Sequence, residues 1–387
     1  MNRTAERRTT GPAPAGQQSL EVKKIHPEFR KSVDQIRPRT LIHRLKYDSQ
    51  FHRSTVQYVF LLLVVWIGIE FHYFVKWGAS NGSTPFIQRP PGVEGFLPIS
   101  ALISLKYFWT TGILNTIHPS GLVILLAICG LGIFMKKSFC SWLCPVGTLS
   151  EGLWELGKRL FGRNRTIHRF LDYPLRGLKY LLLAFFLYAV ATMDIDALRR
   201  FIDSPYNKVA DIKMYYFFAA ITPFALGVIA VLVALSVVVK NFWCRYLCPY
   251  GALLGLGSLM SPMKITRSAR TCIDCELCTK FCPSSIHVHR AHRVWSDECT
   301  ACMKCVQVCP VKNTLEMRMH ETGPRISSWV FGILIVGVFT GITGLAMMTG
   351  HWRNSISNEE YLRRMQELDK PQYNHFQGNV PEYDDND

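Results

Sequence analysis

The chain has 387 residues, of which 49% are hydrophobic and only 19% are Asp, Glu, Lys or Arg. This composition excludes a largely disordered protein, and the concentration of apolar residues in a few long runs argues against one soluble globule. The formal net charge of +16 is typical of nucleic-acid-binding proteins or of membrane proteins with basic cytoplasmic loops. The apolar runs favour a membrane protein, so no nucleic-acid partner is expected.

Five apolar runs approach the length of about 20 residues that a transmembrane helix needs. In chain order they cover residues 56–76, 119–135, 178–193, 217–239 and 327–349. A further apolar stretch, 95–113, is interrupted by Pro98 and Lys106. It is predicted to be interfacial or re-entrant rather than a full span. The sequence therefore predicts an integral membrane all-α bundle with about five transmembrane helices.

The distribution of positive charge predicts how these helices are oriented. Residues 1–55, 136–177 and 240–326 carry thirty-two Lys and Arg, whereas the alternate loops and the carboxyl-terminal tail carry ten. Cytoplasmic loops carry the excess of Lys and Arg in membrane proteins. We therefore expect a bacterial inner-membrane protein with a cytoplasmic amino terminus and an extracytoplasmic carboxyl terminus.

Eight of the thirteen cysteines form two copies of one motif. Residues 272–283 read CIDCELCTKFCP and residues 299–310 read CTACMKCVQVCP. This spacing is typical of proteins that hold two [4Fe-4S] clusters, in which the fourth cysteine of each run ligates the other cluster. Paired Cys-x2-Cys also binds zinc, but two complete runs favour iron–sulfur. The predicted ligand sets are Cys272, Cys275, Cys278 and Cys309 for one cluster, and Cys299, Cys302, Cys305 and Cys282 for the other.

A second repeat follows two of the predicted spans. KKSFCSWLCPVG begins at residue 136 and KNFWCRYLCPYG begins at residue 240, so both copies contain Cys-x3-Cys-Pro-x-Gly. Two related halves of the membrane domain would bring together Cys140, Cys144, Cys244 and Cys248. These thiolates could hold a third cluster or a metal ion, could form two redox-active dithiol pairs, or could be structural in a turn that caps a helix. The remaining cysteine, Cys129, is predicted to be a small buried hydrophobe.

A membrane protein with one-electron clusters is suited to exchange electrons with a quinol, which also releases protons. Few residues in the spans are candidates for such a quinone site. Glu70 and His72 lie late in the first span and His118 at the start of the second, all near the predicted outer border. Each could accept protons from a quinol or could simply reach to the interface. A b-type haem needs histidines that face each other within the bilayer, and no two histidines lie mid-span, so no haem is predicted.

Tandem Cys-x3-Cys-Pro motifs after membrane spans, followed by a two-cluster ferredoxin segment, resemble the membrane polyferredoxin family. That family includes the NapH, NosR membrane-half and CcoG/RdxA types, and the resemblance covers about residues 56–320. It implies electron transfer at or across the membrane. The extracytoplasmic flavin domain of NosR-like proteins has no counterpart here, so no flavin is expected. The tail is too short for the immunoglobulin-type domain that usually ends CcoG-like chains.

These features predict a membrane iron–sulfur protein that relays electrons between the quinone pool, or a cytoplasmic donor, and a partner oxidoreductase, as a subunit of quinol dehydrogenase type. One alternative is a membrane reductase of copper or thiols that acts in metalloenzyme assembly; another is a redox-sensing or scaffold subunit. The predicted domains are a basic cytoplasmic arm (1–55), a membrane domain with two repeats (56–260), a cytoplasmic α+β two-cluster ferredoxin domain (261–326), a last transmembrane helix (327–350) and an acidic extracytoplasmic tail (351–387).

Overall fold

The computed structural model describes residues 48–162, 164–165, 167–374, 381 and 383, so most of the predicted basic arm lies outside the described residues. The helices, in chain order, are α1 (Ser49–Ala79), α2 (Pro98–Thr111), α3 (Pro119–Phe134), α4 (Phe139–Trp142), α5 (Pro145–Phe161), α6 (Arg169–Ala191), α7 (Ile195–Asp203), α8 (Pro205–Lys208), α9 (Ala210–Ala219), α10 (Pro223–Val238), α11 (Pro249–Met260), α12 (Leu277–Lys280), α13 (Lys304–Gln307), α14 (Ser328–Met348) and α15 (Asn358–Gln366). The strands are β1 (Lys264–Arg267), β2 (Leu315–Arg318) and β3 (Arg325–Ile326). Short 3-10 turns cover Pro91–Phe96, Val288–Arg290 and Pro371–Tyr373, and a π turn covers Trp243–Leu247.

Within the described part of the chain, three helices are long and apolar enough to cross a membrane, namely α1, α6 and α14. Helices α9 and α10 provide a fourth candidate if they are counted as one span, but they meet at an angle of 81°. The straight span predicted over 217–239 is therefore broken. The break occurs where the Thr222 side chain caps α10 and Pro223 begins it. Helix α3 has 16 residues, which is fewer than the usual 20 or so of a transmembrane helix.

The two Cys-x3-Cys-Pro segments occupy matching positions in the membrane domain. The first lies between α3 and α5, and the second between α10 and α11. Helix α3 packs on α11, and α10 packs on α5, so the apolar helix of each half contacts the helix that follows the motif of the other half. Glycine permits both approaches: a Cβ on Gly132 would lie 2.9 Å from Cδ2 of Leu254, and a Cβ on Gly157 would lie 1.8 Å from the carbonyl oxygen of Val237.

The ferredoxin-like domain is built on a small antiparallel sheet with strand order β1-β2-β3. One buried cluster contains Ile265 of β1, Met317 of β2 and Trp142 of α4. Apolar packing is therefore continuous from the sheet to the first repeat motif, and this packing fixes the domain against the membrane helices.

The described part of the predicted acidic tail is packed against the opposite end of α1. Helix α15 begins after Ser357, whose hydroxyl accepts a hydrogen bond from the N–H of Glu360. Tyr361 and Tyr373 are buried in the same apolar cluster as Phe74 of α1. Burial of these aromatic side chains holds this segment to the membrane domain.

Candidate iron–sulfur centres

Two cavities in the ferredoxin-like domain are each lined by four cysteines. The first cavity is lined by Cys272, Cys275, Cys278 and Cys309. The second cavity is lined by Cys282, Cys299, Cys302 and Cys305. Each cavity thus takes three cysteines from one motif and the fourth from the other motif, in the same combination as the predicted ligand sets.

Left-handed backbone residues bend both motifs around their cavities. Asp274 and Glu276 have φ values of 50° and 58°, and Ala301 and Met303 have values of 51° and 55°. In each motif these residues occupy the same two positions between the first three cysteines. Such conformations are strained for residues other than glycine. Their repetition shows that the same tight loop is built twice.

The cysteine side chains fit an iron–sulfur cluster in chemistry and placement. Burial raises the pKa of Cys278 to about 11 and that of Cys282 to about 12. Thiols bind metals as thiolates, so bound iron would offset the cost of ionising these buried groups. Among the described residues, no three His, Cys, Asp or Glu side chains lie close enough together to bind one metal ion. Four soft thiolates around one cavity match the ligand set of a [4Fe-4S] cluster.

The structure also brings the four repeat cysteines together, at the junction between the membrane helices and the ferredoxin-like domain. Negative charge on Cys140, Cys244 or Cys248 would raise the pKa of Cys144, because these three cysteines are its neighbours. Cys140 and Cys244 also line one cavity. Burial raises the pKa of Cys140 to about 11 and that of Cys244 to about 12. The buried thiols of both repeats therefore form one group, which we call the repeat cysteines.

Cys144 and Cys248 are also helix N-caps. The Cys144 sulfur accepts a hydrogen bond from the N–H of Gly147 at 3.4 Å, and the Cys248 sulfur accepts one from Gly251 at 3.3 Å. Burial raises the pKa of both thiols, but the hydrogen bond at the helix amino terminus acts in the opposite direction and favours the thiolate. The structural role and the ligand role considered from the sequence are therefore compatible at these positions.

The second cavity lies next to the repeat cysteines. Cys140, Cys244 and Cys302 line the same intervening space. The Ser141 hydroxyl donates to the carbonyl oxygen of Thr300 at 2.6 Å, and the Trp142 indole donates to that of Ala301 at 3.2 Å. These bonds hold the second cluster motif against the first repeat motif.

The three cysteine sets form a series. Cys278 of the first cavity is close enough to Cys305 of the second cavity to contribute to its raised pKa. The second cavity in turn adjoins the repeat cysteines. The series therefore runs from the ferredoxin-like domain to the ends of the membrane helices.

Buried charged side chains surround the repeat cysteines, and sequence reasoning missed them. Lys137 is 3% exposed, and its ammonium group lies near Cys140, Cys244 and Cys248, where it would stabilise negative charge on their sulfur atoms. Lys179 forms an ion pair with buried Glu298. Lys137 could have been noticed because it lies three residues before Cys140, whereas Glu298 carries no such signal until the fold is known.

The quinone candidates lie in different environments. The Glu70 carboxylate accepts a hydrogen bond from the Trp66 indole at 2.9 Å, and exposed His72 is hydrogen-bonded to the Tyr215 hydroxyl at 2.7 Å. His118 has no exposed surface. Its Nε2 is 2.6 Å from the Asn207 carbonyl oxygen, and its Nδ1 is 3.4 Å from the Glu94 carboxylate. His118 therefore belongs to a buried polar cluster, whereas His72 is accessible.

Comparison with known families assigns iron–sulfur chemistry to the same segments. Residues 117–164 and 221–268 each match a family described as a 4Fe-4S binding domain, and these ranges contain the two repeat motifs. Residues 265–317 match a family described as a 4Fe-4S dicluster domain. No solved structure gives a significant match to the chain.

Relatives of this chain include a protein named for electron transport and ferredoxin-type proteins. YccM of Escherichia coli K12 is 43% identical to this chain over 316 residues. These residues cover 80% of this chain and 88% of YccM, which is named as a proposed electron transport protein. NirI of Paracoccus denitrificans is 28% identical, with 64% of this chain and 35% of NirI covered. The ferredoxin-type protein NapH of Escherichia coli K12 is 29% identical, with coverages of 50% and 66%. The chain therefore belongs to the membrane polyferredoxin family and is a membrane-bound iron–sulfur electron-transfer protein.

Proposed function

We propose that this protein relays electrons between the quinone pool, or a cytoplasmic donor, and a partner oxidoreductase through three adjacent sets of cysteines. The observation that carries the proposal is the space shared by Cys140, Cys244 and Cys302. It connects the ferredoxin-like domain with the ends of the membrane helices. Electrons that enter at either end would meet a continuous series of thiolate sites.

The first cavity, the second cavity and the repeat cysteines would each hold one [4Fe-4S] cluster. Such clusters supply one-electron redox chemistry at potentials set by burial, charge and hydrogen bonds to sulfur. The chain supplies the thiolates and screens them from water. Buried Lys137 supplies positive charge beside the repeat cysteines, which would favour the more negative, reduced state of that site.

The proposed topology has five crossings, made by α1, α3, α6, the bent α9–α10 pair and α14. The excess of Lys and Arg beside the ferredoxin-like domain supports a cytoplasmic location for that domain, in a bacterial inner membrane. A helix as short as α3 can cross where the bilayer thins locally. The amino terminus would then be cytoplasmic and the packed tail extracytoplasmic.

Glu70 and His72 are the proposed proton acceptors for a quinol, because both lie on the surface of α1 that could meet a lipid-soluble ligand. His118 would act indirectly, since its side chain is fully buried. Quinol oxidation releases protons as well as electrons, and carboxylates and imidazoles are the usual acceptors.

Anaerobic reduction of the purified protein by excess quinol tests the relay. The iron–sulfur absorbance should bleach in the wild type and in the Cys129→Ala control, which changes the one cysteine outside the three sets. It should bleach at least tenfold more slowly in Cys140→Ala, because the site nearest the membrane helices is lost. Clusters that respond to dithionite but stay oxidised with excess quinol would rule out the quinone pool as donor.

A further inference from the structure

A cavity of about 380 Å³ lies beside the second repeat motif. It shares Ser284 with the second cavity and with the space beside the repeat cysteines, but no described cysteine lines it. Its walls come from the first two turns of α6, from residues 239–246 around the π turn, and from residues 284–287 of the ferredoxin-like domain. Four cationic side chains line it: Arg165, Arg176, Lys240 and Arg245. The cavity therefore joins a membrane helix, a repeat motif and the ferredoxin-like domain at a strongly basic position.

Asp172 is the one carboxylate in the described lining, and its hydrogen-bonding capacity is already used. It accepts bonds from the Tyr246 hydroxyl at 2.6 Å and from two nitrogens of Arg245 at 3.1 and 3.2 Å. Arg176 donates to the same carboxylate. One negative charge thus faces four positive charges, so the lining has a large uncompensated positive charge.

A hydrogen-bond donor in the wall also lacks an acceptor. Nε of Arg176 is buried and has no hydrogen-bond partner among the described residues. Arg245 is 7% exposed, and its Nη1 donates to the Ser284 carbonyl oxygen at 2.8 Å, which fixes its orientation. A buried guanidinium N–H without an acceptor costs free energy. An anionic ligand with acceptor oxygens would remove this cost.

The position of the cavity identifies the source of such an anion. Arg176 lies in the second turn of α6, and Val239 is the cap residue directly after α10. Apolar side chains of Ile167 and Ile286 complete the wall. Helix α6 is a candidate span and α10 is half of a bent candidate span, so in the proposed topology the cavity lies where lipid headgroups would meet the protein. Basic pockets between transmembrane helices bind anionic headgroups.

We propose that this cavity binds the phosphate group of an anionic phospholipid, which fastens the ferredoxin-like domain to the membrane surface. The bound headgroup would contact α6, the second repeat motif and the 284–287 loop together. This site is independent of the direction of electron transfer and of the identity of the electron donor.

Native mass spectrometry of the full-length protein in detergent tests the site. The probes are phosphatidylglycerol, phosphatidylcholine and inorganic phosphate. The test variant is Arg165→Gln/Lys240→Gln, and the matched control is Lys158→Gln/Arg159→Gln, which removes one Lys and one Arg outside the cavity lining. Wild type and control should each bind one phosphatidylglycerol at least tenfold more tightly than phosphatidylcholine. In the test variant, the ratio of the two affinities should fall at least tenfold.

Iron per chain should be equal in all three proteins, so lipid loss can be separated from misfolding or from failure of the redox sites. If the test variant loses iron, Ile167→Glu serves as a second test variant. It places a negative charge in the wall and should weaken phosphatidylglycerol retention without changing the iron content. Equal retention of the two lipids, or unchanged binding by a folded variant, would overturn the proposal. Full displacement of phosphatidylglycerol by millimolar inorganic phosphate would also overturn it, because the site would then be one for soluble phosphate.

Discussion

Gly147 lies directly against the carbonyl oxygen of Cys140, and a Cβ at this position would lie 2.1 Å from that oxygen. In the second repeat, a Cβ on Gly251 would lie 3.1 Å from the carbonyl oxygen of Cys244. Both glycines also donate their N–H groups to the capping cysteine. The glycine of Cys-x3-Cys-Pro-x-Gly therefore holds the two cysteines of each repeat in one compact turn.

Gly147→Ala should open this turn in the first repeat. The added methyl group must displace backbone rather than a flexible side chain, so we expect loss of the iron associated with the repeat cysteines and a lower melting temperature. Gly152→Ala is the matched control, since a Cβ there meets nothing within 4 Å. Its stability should stay equal or rise by up to about 1 kcal/mol from helix propensity. Gly251→Ala should lose less iron than Gly147→Ala, because a Cβ there lies 3.1 Å from the nearest backbone oxygen. Equal iron contents in all three variants would disprove this role of glycine.

The crossed sets of cysteines predict a specific pattern of iron loss. Cys282 belongs to the first motif but lines the second cavity. Cys282→Ala and Cys299→Ala should each lose about four irons, and the double variant should lose no more than either single variant. Cys282→Ala with Cys272→Ala should lose about eight, because two clusters are affected. Iron analysis that instead groups Cys282 with Cys272 would refute the crossed arrangement.

Lys137 should raise the reduction potential at the repeat cysteines. Its buried ammonium group stabilises added negative charge, so Lys137→Gln should lower the midpoint potential by about 60 mV or more, which corresponds to a tenfold change in a one-electron equilibrium. The signal to follow by redox titration is the one that Cys140→Ala abolishes. Exposed Lys158→Gln is the control and should leave the potential within a few millivolts. An unchanged potential in Lys137→Gln would separate this lysine from the redox site.

Glu94 should make the fold sensitive to acid. Burial tends to raise the pKa of Glu94, but Arg89 and His118 outweigh burial, so its pKa lies below the ordinary value of 4.5. The ionised carboxylate therefore contributes stability that is fully present above pH 4.5 and is lost as the pH falls through the lowered pKa. Glu94→Gln should cost about 3–5 kcal/mol at neutral pH. It should also flatten the fall in melting temperature below pH 4.5.

Exposed Glu359→Gln provides the control for Glu94. It should retain the wild-type melting temperature at pH 7 and the wild-type loss of stability in acid. The same acid response in Glu94→Gln and in the wild type would show that other groups govern it.

Local spacing made the cysteine sets predictable. The cysteines of each ferredoxin motif are separated by two or three residues, so one tight loop brings three of them to a common cavity. The fourth could be assigned only because this motif has a known crossed pattern. The proximity of the repeat cysteines followed from a two-fold argument, which the reciprocal contacts of Gly132 and Gly157 now explain physically.

Features that depend on distant contacts could not be predicted. Hydropathy did not reveal the bend between α9 and α10, because both segments are apolar, although Thr222-Pro223 is a recognisable helix start. The helix in the tail was missed although Ser357 and Glu360 form a capping pattern. Glu298 and Lys179 are 119 residues apart, so their pairing beside the repeat cysteines depends on the assembled fold.

Iron analysis combined with electron paramagnetic resonance on anaerobically purified protein tests the central claim most directly. Three cysteine sets predict about twelve irons per chain, falling to about eight in Cys140→Ala with loss of one distinct signal, and unchanged in Cys129→Ala. Colourless protein that contains zinc instead of iron would contradict the assignment of all three sets.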